Sequence, residues 1–172
     1  MYGVTNPASQ DDTTTLVNIG ASVMNVNIVR GGVSLFTRDI PLGGNRYSEA
    51  VQREMGVSFE EAEQLKKSDR DDDQSLAAVM ESVNAEGASE IARTVDYFKT
   101  TASDGDITRV LLCGGGAKVK GLAQQLHDRM HVEVEIANPF SEIDTSMCNV
   151  DPDRLAEMGP LTDDHRLGFL YV

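Results

Sequence analysis

A short glycine turn near the start of the chain carries residue types that can bind an anion. The segment NIGAS, residues 18–22, places Gly20, Ala21 and Ser22 between two strand-like runs. Backbone N–H groups that converge in such a turn can hold a phosphate, and the Ser22 hydroxyl adds another donor. A plain hairpin glycine explains the same residues. The turn therefore indicates an anion site only if other segments join it.

A second glycine segment lies between an apolar run, residues 109–113, and a later helical pattern. It contains Gly114, Gly115 and Gly116 in succession. Consecutive glycines let a ligand approach the backbone closely, but tight packing of a strand against a helix explains them equally well. Val119 stands where a dinucleotide-binding fingerprint has its third glycine, and the segment lacks the Gly-Lys-Ser/Thr of a P-loop.

A carboxylate and an ammonium group share one face of a predicted helix. Glu63 and Lys66, in the sequence AEQLK, are three residues apart. They can form an ordinary surface ion pair that contributes little to stability. Alternatively, they can offer hydrogen bonds to a ribose and a base. The sequence leaves both interpretations open.

No catalytic or metal-binding pattern is recognisable in the sequence. The spacing of His127, His131 and His165 does not fit a metal site, and Cys113 and Cys148 fit neither a zinc site nor a disulfide framework. We therefore predict no catalytic residue, no metal ligand and a reducing compartment.

Composition and charge exclude several classes of function. The 28 acidic and 15 basic residues give a net charge of −13, which opposes binding to nucleic acid and to anionic lipid. No apolar run approaches the roughly 18 residues that span a bilayer. The first residues have neither the basic nor the apolar region of a signal peptide. We expect a globular protein that does not insert into the membrane.

Alternating apolar residues predict three antiparallel strands before any helix. These are residues 15–19, 23–29 and 33–38, with glycines at 31 and 32 forming the second turn. In the middle strand Met24, Val26 and Ile28 occupy one face. The run at residues 109–113, which is apolar throughout after Arg109, predicts a strand buried on both faces.

Helical patterns occupy much of the remaining chain. We predict a short helix capped by Asn45 or Ser48 and ending near Gly56, and a second helix that begins with a capping box at Ser58 and Glu61. Residues 68–75 form a solvated acidic loop. A long helix over residues 75–101 then presents one stripe toward the core: Leu76, Met80, Val83, Gly87, Ile91, Val95 and Phe98.

The order of elements predicts a mixed α/β layer architecture. A helix over residues 121–130 and a strand over residues 132–136 follow the buried strand. Strands that come first as a meander and later as strand–helix–strand do not form an all-parallel wound sheet. We assign residues 1–12 to a loose lead-in, 13–160 to one domain and 161–172 to an atypical tail.

Taken in order, the motifs resemble the PilM family of type IV pilus assembly proteins. The resemblance covers roughly residues 1–160. It includes the run over residues 15–67 and continues through EIARTVDYF, RVLLCGGGAKVKGL and VEVEIANPF. That family has the fold of the actin-like and Hsp70-like ATPases and is close to the cell-division protein FtsA. The resemblance implies the second lobe of that fold.

The resemblance also implies an ATP site made of three separate segments. The phosphates would lie near residues 18–22, the ribose and base near Glu63 and Lys66, and the adenosine against the glycine segment. The implied binding residues are Asn18, Gly20, Ala21, Ser22, Glu63, Lys66, Gly114, Gly115 and Gly116.

One substitution bears on hydrolysis. Asn18 stands where actin-like proteins often carry an aspartate that orders magnesium-bound water. This position bears on hydrolysis more than on binding, and we expect no catalysis by this chain alone. Because the cleft has only one wall and the net charge of −13 opposes a triphosphate, we expect only weak binding of ATP with magnesium.

The resemblance further implies a cytoplasmic scaffold at the inner face of the inner membrane, with PilN-like and PilO-like partners and a part in twitching motility. Relative to the family, the chain starts at an internal position and departs after Gly159 and Pro160. We therefore expect a fragment without the first lobe, which is where the PilN site would lie. Two alternatives remain at this stage: an FtsA-like division scaffold and a sugar or acetate kinase of the same superfamily.

Overall fold

The computed structural model describes residues 12–68, 73–102 and 106–137, which form a five-stranded mixed sheet with helices. The sheet order is β3-β2-β1-β4-β5. The strands are β1 (Thr13–Ile19), β2 (Met24–Arg30), β3 (Val33–Ile40), β4 (Ile107–Cys113) and β5 (Glu133–Ile136). The first three strands pair antiparallel, whereas β4 pairs parallel with β1 and β5. The predicted mixed α/β architecture is confirmed.

Four α-helices connect these strands. They are α1 (Gly44–Met55), α2 (Phe59–Lys67), α3 (Gln74–Thr101) and α4 (Leu122–Met130). The predicted capping box at the start of α2 is confirmed, because Ser58 Oγ accepts from the Glu61 N–H while the Glu61 carboxylate accepts from the Ser58 N–H. A 3-10 turn over Gly115–Lys118, which the sequence pattern did not predict, precedes α4.

The core lies between α3 and one face of the sheet. Met24, Val26 and Ile28 of β2 are buried there, as their alternation predicts. The predicted stripe of α3 is also buried, except that Met80 is half-buried. Ile91 packs in one cluster with Leu112 of β4. The long helix thus fixes the positions of the strands whose ends carry the glycine segments.

The acidic loop is shorter at its far end than the sequence predicted. Residues 69–72 lie outside the described part of the chain, but Asp73 is the N-cap of α3 and Gln74 is its first residue. The Asp73 carboxylate accepts the N–H groups of Ser75 and Leu76 at 3.0 and 3.1 Å. An aspartate that satisfies two otherwise unpaired helix donors belongs to the fold rather than to a solvated loop.

Several further predictions fall outside the described residues. They concern most of the lead-in, residues 1–11, and everything from residue 138 onward. The tail at residues 161–172, Cys148 and His165 all lie in these parts of the chain.

Gly87 in the middle of α3 gives a direct test of the core. A Cβ at this position would meet Met24, Leu42 and Leu122 at 3.7–3.9 Å, which is ordinary van der Waals contact. Because alanine has the higher helix propensity, Gly87→Ala should raise the free energy of unfolding by about 0.5–1 kcal/mol. Urea denaturation measures this change. A destabilised variant would mean that α3 lies closer to the sheet than these distances indicate.

Candidate functional site

The carboxyl ends of β1 and β4 lie side by side in the sheet. The two strands are parallel, and their register pairs Asn18 with Cys113. The segments that follow them, residues 20–23 and residues 114–121, therefore leave the sheet at the same edge. We call these the β1–β2 turn and the glycine segment. Two motifs about a hundred residues apart in sequence thus become neighbours in space.

The β1–β2 turn is tight and exposes two backbone N–H groups. The Gly20 N–H donates to the Val23 carbonyl at 3.0 Å, which closes the turn. Ala21 and Ser22 are exposed. Within the described residues, no hydrogen bond is found from the N–H of either residue. These two N–H groups and the Ser22 hydroxyl are the kind of donors that bind an anion.

Helix α1 begins directly against this turn. The N–H groups of Gly44 and Asn45 donate to the carbonyls of Gly20 and Ala21 at 2.9 and 2.7 Å. The Asn45 side chain also donates to the Ser22 hydroxyl oxygen at 3.2 Å. The first turn of α1 therefore fixes the shape of the β1–β2 turn.

The predicted cap of α1 is wrong. The N-cap is Gly43, and neither Asn45 nor Ser48 caps the helix. The turn carbonyls satisfy the first helix donors, so no side-chain cap is needed. A Cβ on Gly43 would lie 2.6–2.7 Å from backbone atoms of Gly20 and Ala21, so only glycine fits at this contact. Gly43 thus allows close docking of the helix, whereas a Cβ on Gly44 would make only ordinary contacts at 3.7 Å.

Glu63 and Lys66 form a partly buried cluster with α1. The Lys66 ammonium lies 2.5 Å from Glu63 Oε1 and donates to Ser48 Oγ and the Gly44 carbonyl at 3.1 and 3.2 Å. The Ser48 hydroxyl donates to the same carboxylate oxygen. The side chains of Lys66 and Glu63 are only 13% and 25% exposed. The pair shares a helix face as predicted, and it is more than a solvated surface ion pair.

The electrostatics of this cluster keep the Glu63 carboxylate ionised. Burial by itself would raise the pKa of this carboxyl group. The hydrogen bonds from Lys66 and Ser48 and the charges of Lys66 and Lys67 outweigh burial, so the pKa of Glu63 lies below its usual value. An ionised carboxylate accepts hydrogen bonds but donates none, which suits it to sugar hydroxyls.

The glycine segment packs tightly on the end of β1. Gly114 has φ of +84°, and a Cβ there would lie 2.5 Å from the Ile19 carbonyl oxygen. A Cβ on Gly116 would lie 2.3 Å from the Ile19 side chain. Strand packing therefore accounts for these two glycines. Gly115 between them is half-buried at the start of the 3-10 turn.

Asn18 is part of a polar ladder across three strands. Its side-chain amide donates to Asn25 Oδ1 at 3.4 Å, and Asn25 donates to Asp39 Oδ1 at 2.7 Å. A neutral amide cannot act as a general base. The position next to the β1–β2 turn therefore offers hydrogen bonding but no proton transfer.

Cys113 ends β4 within this site, where burial raises the pKa of its thiol to about 11. The Sγ–H donates to the Val17 carbonyl at 3.6 Å. Because a raised pKa keeps the thiol protonated near neutrality, Cys113 is not a nucleophile there.

This pKa gives a pH-dependent prediction. In a Cys148→Ser background, iodoacetamide should alkylate Cys113 at pH 8 about 100-fold more slowly than a free cysteine, and the rate should keep rising past pH 10. A rate that levels off near pH 9 would contradict this environment.

Four residues of this region were not predicted as part of the site: Gly43, Tyr47, Ser48 and Asn84. Tyr47 lies in the first predicted helix, and Ser48 was predicted only as a possible cap of that helix. Asn84 lies on the buried face of α3. In the sequence, the feature that could have identified it is a polar residue next to Val83 of the predicted apolar stripe.

The two described histidines do not belong to the site. His127 is exposed on α4 and its Nδ1 contacts the Val132 carbonyl at 2.8 Å, and His131 is the exposed C-cap of that helix. Across the described residues, no group of three or more His, Cys, Asp or Glu side chains could hold a metal ion. In the same part of the chain, none of the helices is long and apolar enough to cross a membrane.

Comparison with known proteins places the chain in a family. The sequence profile of the family described as type IV pilus assembly protein PilM matches residues 4–161. The chain belongs to the PilM family. This membership favours the pilus interpretation over the FtsA-like and kinase alternatives.

Solved structures agree with this assignment. A chain of a PilM–PilN type IV pilus biogenesis complex is 27% identical and superposes with a TM-score of 0.76. The match covers 88% of this PilM-family chain and 43% of that chain, so the sequence spans less than half the length of its relative.

More distant structures show the actin-like fold. The ethanolamine utilization protein EutJ from Carboxydothermus hydrogenoformans has 24% identity and a TM-score of 0.59, with 74% of this chain and 44% of that chain covered. MreB 5 of Spiroplasma citri, solved bound to AMPPNP, has 13% identity and a TM-score of 0.60, with coverages of 78% and 51%. The predicted fold class is confirmed.

Proposed function

We propose that this chain supplies one wall of an ATP–magnesium site in a type IV pilus assembly protein. One observation carries the proposal: three segments distant in sequence converge at one edge of the sheet. The β1–β2 turn is bonded to α1, the Glu63–Lys66 cluster is bonded to the same helix, and the glycine segment packs on β1. Ligands of open α/β sheets bind at the carboxyl ends of strands.

Each segment has a distinct part in this proposal. The exposed N–H groups of Ala21 and Ser22 and the Ser22 hydroxyl bind phosphate oxygens. The Glu63 carboxylate and the Lys66 ammonium face the ribose and base. They hydrogen-bond to each other in this structure, so they must share these hydrogen-bonding groups with the ligand when it binds. Gly115 lets the adenosine approach the backbone. The MreB structure bound to AMPPNP supports a nucleotide ligand for this fold.

Binding to this chain alone should be weak. The net charge of −13 opposes a triphosphate, and one wall provides only part of the contacts. Each missing charge-assisted hydrogen bond costs about 1.5–3 kcal/mol of binding free energy. The loss of a few such bonds therefore raises the dissociation constant from the micromolar to the millimolar range. Because the amide of Asn18 cannot take up a proton, we expect no measurable hydrolysis.

In the whole protein we propose a scaffold role in which nucleotide closes two lobes and biases partner docking. The PilM–PilN complex supports a PilN-like partner, whose binding site we assign to the first lobe, and a PilO-like protein would be recruited with it. We therefore propose that the protein acts at the cytoplasmic face of the inner membrane and has a role in twitching motility.

A steric block in the glycine segment tests the nucleotide site. Gly115→Trp should weaken ATP–magnesium binding at least about tenfold from its millimolar value, because the indole fills the space assigned to adenosine. Saturation-transfer NMR on the ligand measures this. Val33→Trp on β3, where Val33 is 62% exposed, is the matched control and should bind like the parent. Equal binding by both variants would remove the glycine segment from the site.

A further inference from the structure

A buried polar chain links α1, α3 and the glycine segment. The Tyr47 hydroxyl donates to Asn84 Oδ1 at 2.8 Å, and Asn84 Nδ2 donates to the Lys120 carbonyl at 2.8 Å. Tyr47 is 1% exposed and Asn84 2%. The proposed nucleotide contacts use neither side chain. Their function therefore needs a separate explanation.

Apolar side chains would fill this part of the core at a lower cost in free energy, because no polar group would have to be buried. Asn84 lies on the buried stripe of α3, between Val83 and Gly87. A buried amide is tolerated when its donor and acceptor are both satisfied, and the network then specifies one arrangement of the surrounding elements. Here the side-chain carbonyl of Asn84 accepts from Tyr47 of α1, and its amino group donates to Lys120 in the glycine segment.

The contact with the glycine segment is close. Lys120 precedes Gly121, the N-cap of α4, which has φ of +86°. A Cβ on Gly121 would lie 3.1 Å from Asn84 Nδ2. The backbone can reach Asn84 in this way because residue 121 has no side chain. The end of the glycine segment is thus held by α3, while its start is held by β1.

Helix α1 connects this anchor to the other half of the site. Its first residues, Gly44 and Asn45, bond to the β1–β2 turn, and Tyr47 follows within the same helical turn. The path from the β1–β2 turn through Tyr47 and Asn84 to Lys120 consists of consecutive hydrogen bonds and one rigid helix. It bridges the segments assigned to the phosphates and to adenosine.

We infer that Tyr47 and Asn84 are positioning residues that hold the glycine segment at a fixed distance from the β1–β2 turn. This inference rests on the proposed nucleotide site. A ligand that spans both segments needs that distance to be correct, because small displacements of supporting groups weaken a preorganised site. A ligand that contacts only the β1–β2 turn does not need it. ATP is a ligand of the first kind, because it spans both segments. Inorganic tripolyphosphate is a ligand of the second kind, because it contacts only the β1–β2 turn.

Tyr47→Phe tests the inference with minimal disturbance of the core. The ring stays, and only the hydroxyl that bonds to Asn84 is lost. We expect the dissociation constant for ATP–magnesium to rise about fivefold, as for one lost hydrogen bond, and that for tripolyphosphate to change less than about twofold. The control is Tyr97→Phe, which removes a hydroxyl from an exposed position on α3 and should change neither value.

A ligand-free readout separates this inference from the proposed function. Amide resonances of Lys120 and Gly121, and those of the 3-10 turn, should shift in Tyr47→Phe and not in Tyr97→Phe. Asn84→Asp should shift them further, because it keeps the acceptor for Tyr47 but replaces the donor to Lys120.

Each result bears on one claim. Equal weakening of ATP and tripolyphosphate, or an unmoved glycine segment, overturns the positioning role. Failure of the parent protein to bind either ligand overturns the proposed nucleotide site, while the amide shifts still decide whether Tyr47 and Asn84 hold the segment.

Discussion

Leu112→Ala should lower the free energy of unfolding by about 2–5 kcal/mol, measured by urea denaturation. Leu112 is fully buried in β4 and pairs in register with Val17 of β1. It packs in the same cluster as Ile91 of α3, on a strand that has neighbours on both sides. Truncation removes buried methyl groups and leaves a cavity that rigid strands on both sides cannot close.

Leu35→Ala is the matched control for this measurement. Leu35 lies on the edge strand β3 and is 44% exposed. The same truncation there should cost less than about 1 kcal/mol, because little apolar surface is uncovered. A cost below about 1 kcal/mol for Leu112→Ala would instead mean that β4 is not a buried strand of the core.

Gly114→Ala should destabilise the protein by about 2 kcal/mol more than Gly32→Ala, because a methyl group at residue 114 strikes the backbone of β1. Both glycines have a positive φ, +84° and +80°, and Gly114 also has an extended ψ of 169°. A methyl group on residue 32 would meet nothing within 4 Å, whereas one on residue 114 would lie 2.5 Å from the Ile19 carbonyl oxygen and 2.6 Å from Asn18 Oδ1.

The comparison allows for the strain of a positive φ, which costs about 1–2 kcal/mol at either position. The remainder at residue 114 reports the contact with β1 together with the strain of its extended ψ. Equal losses in the two variants, measured by thermal or urea unfolding, would show that the glycine segment does not pack against the end of β1.

The fold was largely predictable because buried residues recur along the sequence with the period of the strand or helix that carries them. Alternation of Met24, Val26 and Ile28 identified the inner face of β2, and all three are buried. The uninterrupted apolar run of β4 reflects a strand with parallel neighbours on both sides. The capping box at Ser58 was recognisable because both partners lie within one helical turn.

The supporting contacts of the site were not predictable because their partners are distant in sequence. The first N–H groups of α1 bond to carbonyls of the β1–β2 turn, so Gly43 replaces the expected polar cap. Ser48 and Asn84 act through contacts with α2 and the glycine segment. No periodicity or spacing encodes such contacts, whereas the motifs that we propose to face the ligand stand out locally through their glycines and paired charges.

Titration of the ¹⁵N-labelled chain with ATP–magnesium, followed by amide chemical shifts, tests the nucleotide site most directly. We expect millimolar affinity and shifts confined to three regions: residues 20–22, the neighbourhood of Glu63 and Lys66, and residues 114–116. Gly115→Trp should suppress the shifts in the third region. Shifts scattered over the remaining surface, or tight binding in a parallel calorimetric titration, would contradict the proposal that these segments form one wall of a nucleotide site.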